Sequence, residues 1–541
     1  MKRNKLALSG VALLGASGLM LAGCAGGGSG DDGGSGDAGG SSIVITNGTE
    51  PQNPLIPTNT NEVGGGKILD SIFSGLISYD ADGAVVNEVA EEIVVDSPTQ
   101  LTIKIRQGLK FTNGEEVTAD NFIKAWNYGA ALDNAQLSSY FFEDIEGFSW
   151  DENREELSGL QQVDDYTFTV TLNKPASDFA QRLGYSAYYP LPDVAFEDME
   201  AFGETPIGNG PYKLASEDAW VHDEGIELVV NEDYDGPREP QNDGLTIRFY
   251  STQDAAYADL LAGELDVLDQ IPDSALETYQ DELGDNWVNQ PAAIFQSFTV
   301  PEYLPHFEGE EGVLRRQAIS MAINREEITD VIFQGTRTPA SDFTSPVIDG
   351  WSEELTGGEV LEYNPEEAQR LWEEANAISP WEGDFRIAYN ADGGHQSWVD
   401  AVSNSIAGTL GIEAVGEPYP DFAGLREQIT NRTITTAFRT GWQADYPGLY
   451  NFLGPLYATN AGSNDGDYSS EEFDSLLSQG ISETDPEAAN EFYQQAQEVL
   501  LRDLPAVPLW YSNVTGGWAD TVDNVEFGWN SVPLHYNITK G

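Results

Sequence analysis

With 25 Lys and Arg against 91 Asp and Glu, the 541-residue chain carries a formal charge of −66, which argues against nucleic acid as a partner. The same charge opposes adsorption to an anionic lipid surface without a covalent anchor. Apolar residues at 40% and aromatics at 11% describe a folded body with enough surface to bury for about two or three domains. The single cysteine leaves no intrachain disulfide and no cysteine-built zinc site.

Met1 to Lys5 is basic, and Leu6 to Met20 is an apolar run, shorter than the roughly 20 residues a membrane span needs. It closes on Leu21-Ala22-Gly23-Cys24, which resembles a bacterial lipobox. That resemblance implies cleavage before Cys24 and lipid on its thiol, with residues 1–23 as signal peptide. More than one acyl chain gives durable anchoring. Residues 24–42 form a Gly/Ser/Asp tract with little to bury, a flexible tether. Its Gly28-Ser29-Gly30-Asp31-Asp32-Gly33 matches the dinucleotide fingerprint only formally, because no strand precedes it and no helix follows.

The body opens with a short strand at Ile43-Val44-Ile45, a Pro- and Asn-rich loop from Glu50 to Asn61, and a helix within Ile68 to Tyr79. Leu101 to Arg106 alternates as a strand, and Thr118-Ala119-Asp120 starts a helix with Phe122 and Trp126 on one face. Tyr166 to Leu172 alternates again. Pro206-Ile207-Gly208-Asn209-Gly210-Pro211-Tyr212 is glycine-rich, but Pro211 removes an amide donor and no Lys-Ser/Thr follows, so it is no phosphate loop. A helix over Ala255 to Leu261 ends at Gly263. After a strand over Phe295 to Val300, the pattern predicts one amphipathic helix from Val313 to Arg325. Strands at Phe385 to Tyr389 and Thr433 to Phe438 alternate with helices at Gln396 to Gly408 and Asp421 to Ile429, an α/β arrangement. A helix over Pro486 to Leu501 leads to an apolar strand, Pro505 to Tyr511.

The segment Arg439-Thr-Gly-Trp-Gln-Ala-Asp-Tyr-Pro447 follows the β-rich run Thr433 to Phe438 and reads as a loop at a strand end, a common place for a site. Trp442 and Tyr446 offer rigid surfaces beside the single carboxylate of Asp445, and Gly441 admits close approach of another backbone. One carboxylate suits the α-ammonium that every unmodified peptide carries, and the backbone from Gly441 to Gln443 suits pairing with a ligand strand.

This segment resembles the Gly-Trp-x-Ala-Asp-Tyr element of the oligopeptide-binding, family 5 solute-binding proteins of ABC importers. Further likenesses are the Arg106-Gln-Gly-Leu-Lys-Phe-Thr-Asn-Gly to Thr118-Ala-Asp order, the Pro206 to Tyr212 run, Gly263-Glu-Leu-Asp266, and Arg316-Gln-Ala-Ile-Ser-Met-Ala-Ile-Asn-Arg325. The resemblance implies that Asp445 receives the peptide amino terminus, that Arg439 can pair with a peptide carboxylate, and that Asn61, Glu62 and Val63 face the ligand backbone. Arg439 is equally open to a plain structural ion pair, and the arginines of the 313–325 helix are expected to be structural.

The fold implied is α/β: two lobes of the periplasmic-binding-protein type (class II, cluster C), closing on ligand in a cleft, with an extra domain in the first lobe. The expected boundaries are 43–72, 201–290 and 506–541 for the first lobe, 73–200 for the extra domain and 291–505 for the second lobe. The strand at Pro505 to Tyr511 is expected to return the chain to the first lobe. The expected partners are an oligopeptide ligand, an ABC permease with its ATPase, and the extracytoplasmic face of the cytoplasmic membrane through the lipid anchor. The protein is expected to act as a monomer without cofactor or metal. No Gly-x-Ser-x-Gly or His-Glu-x-x-His occurs, and His222, His306, His395 and His535 are not spaced for a metal, each reading as a surface or packing residue. The alternatives are a family 5 receptor for a metal chelate or oligosaccharide, and a surface hydrolase.

Overall fold

The computed structural model describes residues 42–51, 53–60, 62–391, 394–420 and 422–541. The leader, Cys24, the tether up to residue 41, and Asn61 lie outside the described residues. Two main sheets organise the rest. In the first, the order is Gly517–Trp518, Val267–Leu268, Ile43–Gly48, Gly244–Phe249, Gly225–Val230 and Tyr212–Leu214, with Trp220–Val221 also on Gly225–Val230. The strand Ile43–Gly48 runs parallel to Gly244–Phe249, so a long excursion of chain separates two strands that lie side by side.

That excursion contains a separate antiparallel sheet, Ala90–Ser97, Gln100–Ile105, Thr167–Thr171 and Leu160–Asp164. The alternation of Leu101, Ile103 and Ile105 puts all three in the core. The neighbouring helix Ala119–Ala130 starts at Thr118, whose backbone N–H donates to Asn121 Oδ1 at 2.8 Å, a reciprocal cap that satisfies donors the helix leaves open. Its Phe122 and Trp126 are both fully buried and meet edge to face at 6.4 Å.

The second sheet runs Arg337–Pro339, Ala506–Val514, Gln290–Thr299, Ala437–Gln443, Asp384–Asn390 and Glu413–Tyr419. It has its own core, built on Phe295, Phe298, Trp398 and Trp510, while the first lobe shares a core with the excursion. Tyr79 packs against both cores.

Three expectations are corrected here. The strand expected to return to the first lobe does not: Ala506–Val514 pairs antiparallel with Gln290–Thr299 in the second sheet. Its residues Ala506 to Tyr511 lie in the second core and only Val514 joins the first, so the crossing comes after Val514, where Gly517–Trp518 pairs with Val267–Leu268. The helix drawn from Val313 to Arg325 is two, Gly309–Met321 and Arg325–Val331, because Asn324 caps the second by accepting from the Glu327 N–H at 3.2 Å. The strand drawn over Thr433 to Phe438 is Ala437–Gln443. Thr433 and Ile434 instead close the preceding helix, both amides donating to Gln428 O.

The Pro206 to Tyr212 run positions the helix Val63–Ile72. The Gly210 N–H donates to Ile72 O at 2.9 Å, and the Asn209 amide bonds Ser74 N and O, each at 3.0 Å. A Cβ on Gly208 would sit 1.8 Å from Ile72 O, backbone that has nowhere to move. Gly208→Ala is therefore expected to destabilise by about 1–3 kcal/mol or more, seen as a lowered thermal midpoint; an unchanged melt would show the two segments free to separate.

Candidate ligand-binding cleft

A cavity of about 360 Å³ lies between the lobes, within the usual size of small-ligand sites. The second lobe contributes Gln443, Ala444 and Asp445. The first contributes the helix Val63–Ile72 with Lys67 and Asp70, the tyrosines Tyr79 and Tyr185, and the C-terminal stretch from Gly528 to Tyr536.

Asp445 follows the end of strand Ala437–Gln443, whose register with Gln290–Thr299 continues through Ala444 N–H donating to Ala293 O at 3.0 Å. Asn451, from the helix Leu449–Tyr457, fixes it. Its Nδ2 donates to Asp445 Oδ2 at 3.0 Å, while its Oδ1 accepts from the Asp445 N–H at 3.1 Å and from the Trp442 indole at 2.9 Å. Asp445 forms no ion pair among the described residues. Arg182 is engaged by Asp144 and Asp178, each at 2.8 Å. Burial raises the Asp445 carboxyl above its ordinary value, against the opposing pull of the Asn451 amide and the Arg182 charge. A carboxylate short of countercharge in a partly dry cleft gains from an arriving cation.

The sequence-selected residues fall into three places. Glu62, Val63, Gln443 and Asp445 line the interlobe cavity. Glu62 also caps its helix, both carboxylate oxygens accepting from Gly65 N–H at 2.9 and 3.0 Å, and Val63 is half exposed, at 51%. Arg439, Gly441 and Trp442 line a neighbouring cavity of about 200 Å³ within the second lobe, with Arg426, Asp465 and Tyr468. Arg439 Nε donates to Asn390 Oδ1 at 2.8 Å. Tyr446 lines neither cavity, since it is buried with its hydroxyl on Asp178 and the Arg182 guanidinium over its ring. Tyr79 and Tyr185 of the first lobe line the interlobe cavity with Asp445, and their hydroxyl pKa values are raised by burial and further by the Asp445 charge.

Strand Ala437–Gln443 pairs from Phe438 to Gln443 with Gln290–Thr299 on one side. On the other, Asp384–Asn390 meets it only at Ala437 and Phe438. From Thr440 to Gln443 no further strand covers that edge among the described residues.

Sequence reasoning missed Asn451, Asp70, Tyr185 and His535. Asn451 carried a signal, a lone amide in the apolar helix Leu449–Tyr457; the others are assembled by long-range folding with no local pattern. The arginines of the 309–331 region are structural: Arg315 stacks over Trp372 and Trp381 at 4.6 and 5.1 Å, and Arg316 and Arg325 bond backbone carbonyls. No group of His, Cys, Asp and Glu able to hold a metal ion occurs among the described residues.

The model of "Bacterial extracellular solute-binding proteins, family 5 Middle" matches residues 84–464. Among curated relatives, the dipeptide-binding protein DppE of Bacillus subtilis is 26% identical over 486 residues, covering 87% of each chain. The periplasmic oligopeptide-binding protein OppA of Haemophilus influenzae is 27% identical over 487 residues, covering 86% of this chain and 87% of its own. Among solved structures, the unliganded open form of the periplasmic murein tripeptide-binding protein MppA superposes with a TM-score of 0.80 at 20% identity, over 93% of this chain and 98% of that one. The chain belongs to the bacterial extracellular solute-binding proteins, family 5.

Proposed function

We propose that the chain is a lipid-anchored extracytoplasmic receptor that takes oligopeptides by their free amino terminus and hands them to an ABC permease powered by a separate ATPase. The observation that carries this reading is Asp445: a carboxylate in the interlobe cavity, held by one amide and paired with no fixed cation among the described residues. An α-ammonium answers it whatever the peptide sequence, through a charge-assisted hydrogen bond. The edge from Thr440 to Gln443, which no further strand covers among the described residues, supplies main-chain pairing, again independent of side chains. Relatives named for dipeptide and oligopeptide binding agree with this chemistry. The site binds and releases without catalysis, Cys24 carries the lipid after cleavage behind Gly23, and the receptor works as a monomer, its lobes closing over the cargo.

Incubating the delipidated protein with a mixed peptide pool and identifying what co-purifies by mass spectrometry tests this. Intact peptides of varied sequence with free amino termini are expected. Retained sugars or metal complexes, or cleaved peptides, would replace the reading with another.

Affinity should also depend on pH with a defined sign. The free-state carboxyl of Asp445 is raised by burial, and the bound ammonium favours its ionised form, so binding releases protons where that group titrates. Affinity is full above the raised pKa and falls as pH drops through it, beginning at a higher pH than for an ordinary carboxylate. Calorimetry from about pH 7 down to about pH 4 should show that fall for wild type and a shallower one for Asp445→Asn; equal profiles would remove Asp445 from the linkage.

A further inference from the structure

We infer that the first-lobe wall of the cleft selects a cationic side chain, lysine or arginine, at the first residue of the ligand, with Asp70 as its countercharge. The inference rests on the peptide reading above and adds the class of peptide.

Asp70 is half-buried on the helix Val63–Ile72 and lines the same cavity as Asp445. Its Oδ1 accepts from the Tyr189 hydroxyl at 2.8 Å, and it makes no ion pair among the described residues. The nearby cation, Arg238, is already spent. Its Nε donates to both oxygens of buried Glu88 at 3.0 and 3.1 Å, and its other donors go to Asp70 O, Phe73 O and the Ser74 hydroxyl. Asp70, Glu88 and Arg238 together therefore leave one carboxylate without a cation on this wall, and burial raises the Asp70 carboxyl above its ordinary value, against the pull of the Tyr189 hydroxyl and the Arg238 charge. Lys67 does not supply the missing charge, being buried against Asp269. Burial pulls its ammonium down to about 8.

A second feature of the wall suits a cationic side chain. His535 lines the cavity, is 94% buried at 6% exposure, and its Nε2 has no hydrogen-bond partner. Burial and the Lys67 charge push its pKa down to about 3, so the ring stays neutral. A neutral imidazole on this wall adds no positive charge to repel an arriving ammonium or guanidinium. Tyr79 and Tyr185 line the cavity together with Asp70 and Asp445, and each senses the charge of both carboxylates. Their rings give the apolar stem of a lysine or arginine a surface to lie along and its charge an attractive face. With the α-ammonium on Asp445, an apolar first side chain would leave Asp70 in the cleft without countercharge, and an acidic one would be repelled.

The test is calorimetric binding of three tetrapeptides, Lys-Ala-Ala-Ala, norleucine-Ala-Ala-Ala and Glu-Ala-Ala-Ala, to wild type and to Asp70→Asn. Norleucine keeps the stem and removes the charge. Wild type is expected to prefer the lysine peptide over the norleucine peptide by about 10-fold or more and to bind the glutamate peptide weakest, with the lysine preference shrinking to about 2-fold in Asp70→Asn. Equal binding of all three to wild type, a result needing no variant, would overturn the inference and leave the peptide reading standing. A lysine preference kept in full by Asp70→Asn would also overturn it. Binding of none of the three would overturn the inference together with the peptide reading.

Discussion

Asp445→Asn is expected to weaken binding of an unmodified peptide by about 2–5 kcal/mol, roughly 30- to 4,000-fold. The substitution keeps the size of the side chain and can still accept a hydrogen bond, so it removes charge and little else. Much of the loss is the penalty of burying an ammonium without a counterion, since no other acid of the second lobe lines this cavity. The geometry around it should survive, because Asn451 holds both the backbone N–H of residue 445 and the Trp442 indole through its own Oδ1. Titration of wild type and variant with the same peptide reads the difference, and an unchanged affinity would take Asp445 out of the site.

The largest effect on stability is expected at Arg325. This side chain is 3% exposed and makes five hydrogen bonds: Nε and Nη2 to Pro508 O at 2.9 and 2.7 Å, Nη1 to Ser320 O and Leu361 O at 3.1 and 2.6 Å, and Nη2 to the Ser320 hydroxyl at 2.8 Å. Burial pulls its pKa down only to about 9, so it is charged at neutral pH. It ties the start of one helix to the strand Ala506–Val514 and to the segment ending at Leu361. Arg325→Ala takes the guanidinium donors from Pro508 O, Leu361 O and Ser320 O, the last of which keeps the Ile323 N–H at 3.2 Å, and leaves a cavity, an expected cost of about 3–5 kcal/mol. Arg370, at 51% exposure on Glu367 and Glu374, is the contrast: Arg370→Ala should cost under about 1 kcal/mol. Denaturant unfolding monitored for both variants separates them, and equal midpoints would mean that the buried arginine is not a structural tie.

Much of this architecture could be read from local pattern. Alternation placed Leu101, Ile103 and Ile105 in the core, the Thr118 start fixed a helix, and a glycine at 263, with φ of 75°, ended another. The segment around Asp445 reads as a ligand site from its residues together with its resemblance to the family element, and of that segment Gln443, Ala444 and Asp445 line the interlobe cavity. Its secondary structure was not legible. Gly441 reads as a strand breaker, yet it sits in the strand opposite Gln296, where sheet pairing outweighs its poor propensity. The β-rich Thr433 and Ile434 went instead to closing a helix. Tyr446 looked like a wall of the site because it adjoins Asp445 in sequence, but Asp178, far away in sequence, claims its hydroxyl. Beyond Glu62 and Val63, the first-lobe wall was invisible for the same reason: nothing local joins His535 to Lys67 or Asp70, and only the topology that brings the C-terminal stretch back to the helix Val63–Ile72 does so.

The most direct test of the account is a cycle pairing one peptide and its N-acetylated form with wild type and Asp445→Asn, read by calorimetry. If the carboxylate of Asp445 holds the α-ammonium, acetylation costs wild type about 2–5 kcal/mol and costs the variant little, because each change removes the same contact. A wild type that binds both forms equally would contradict the account.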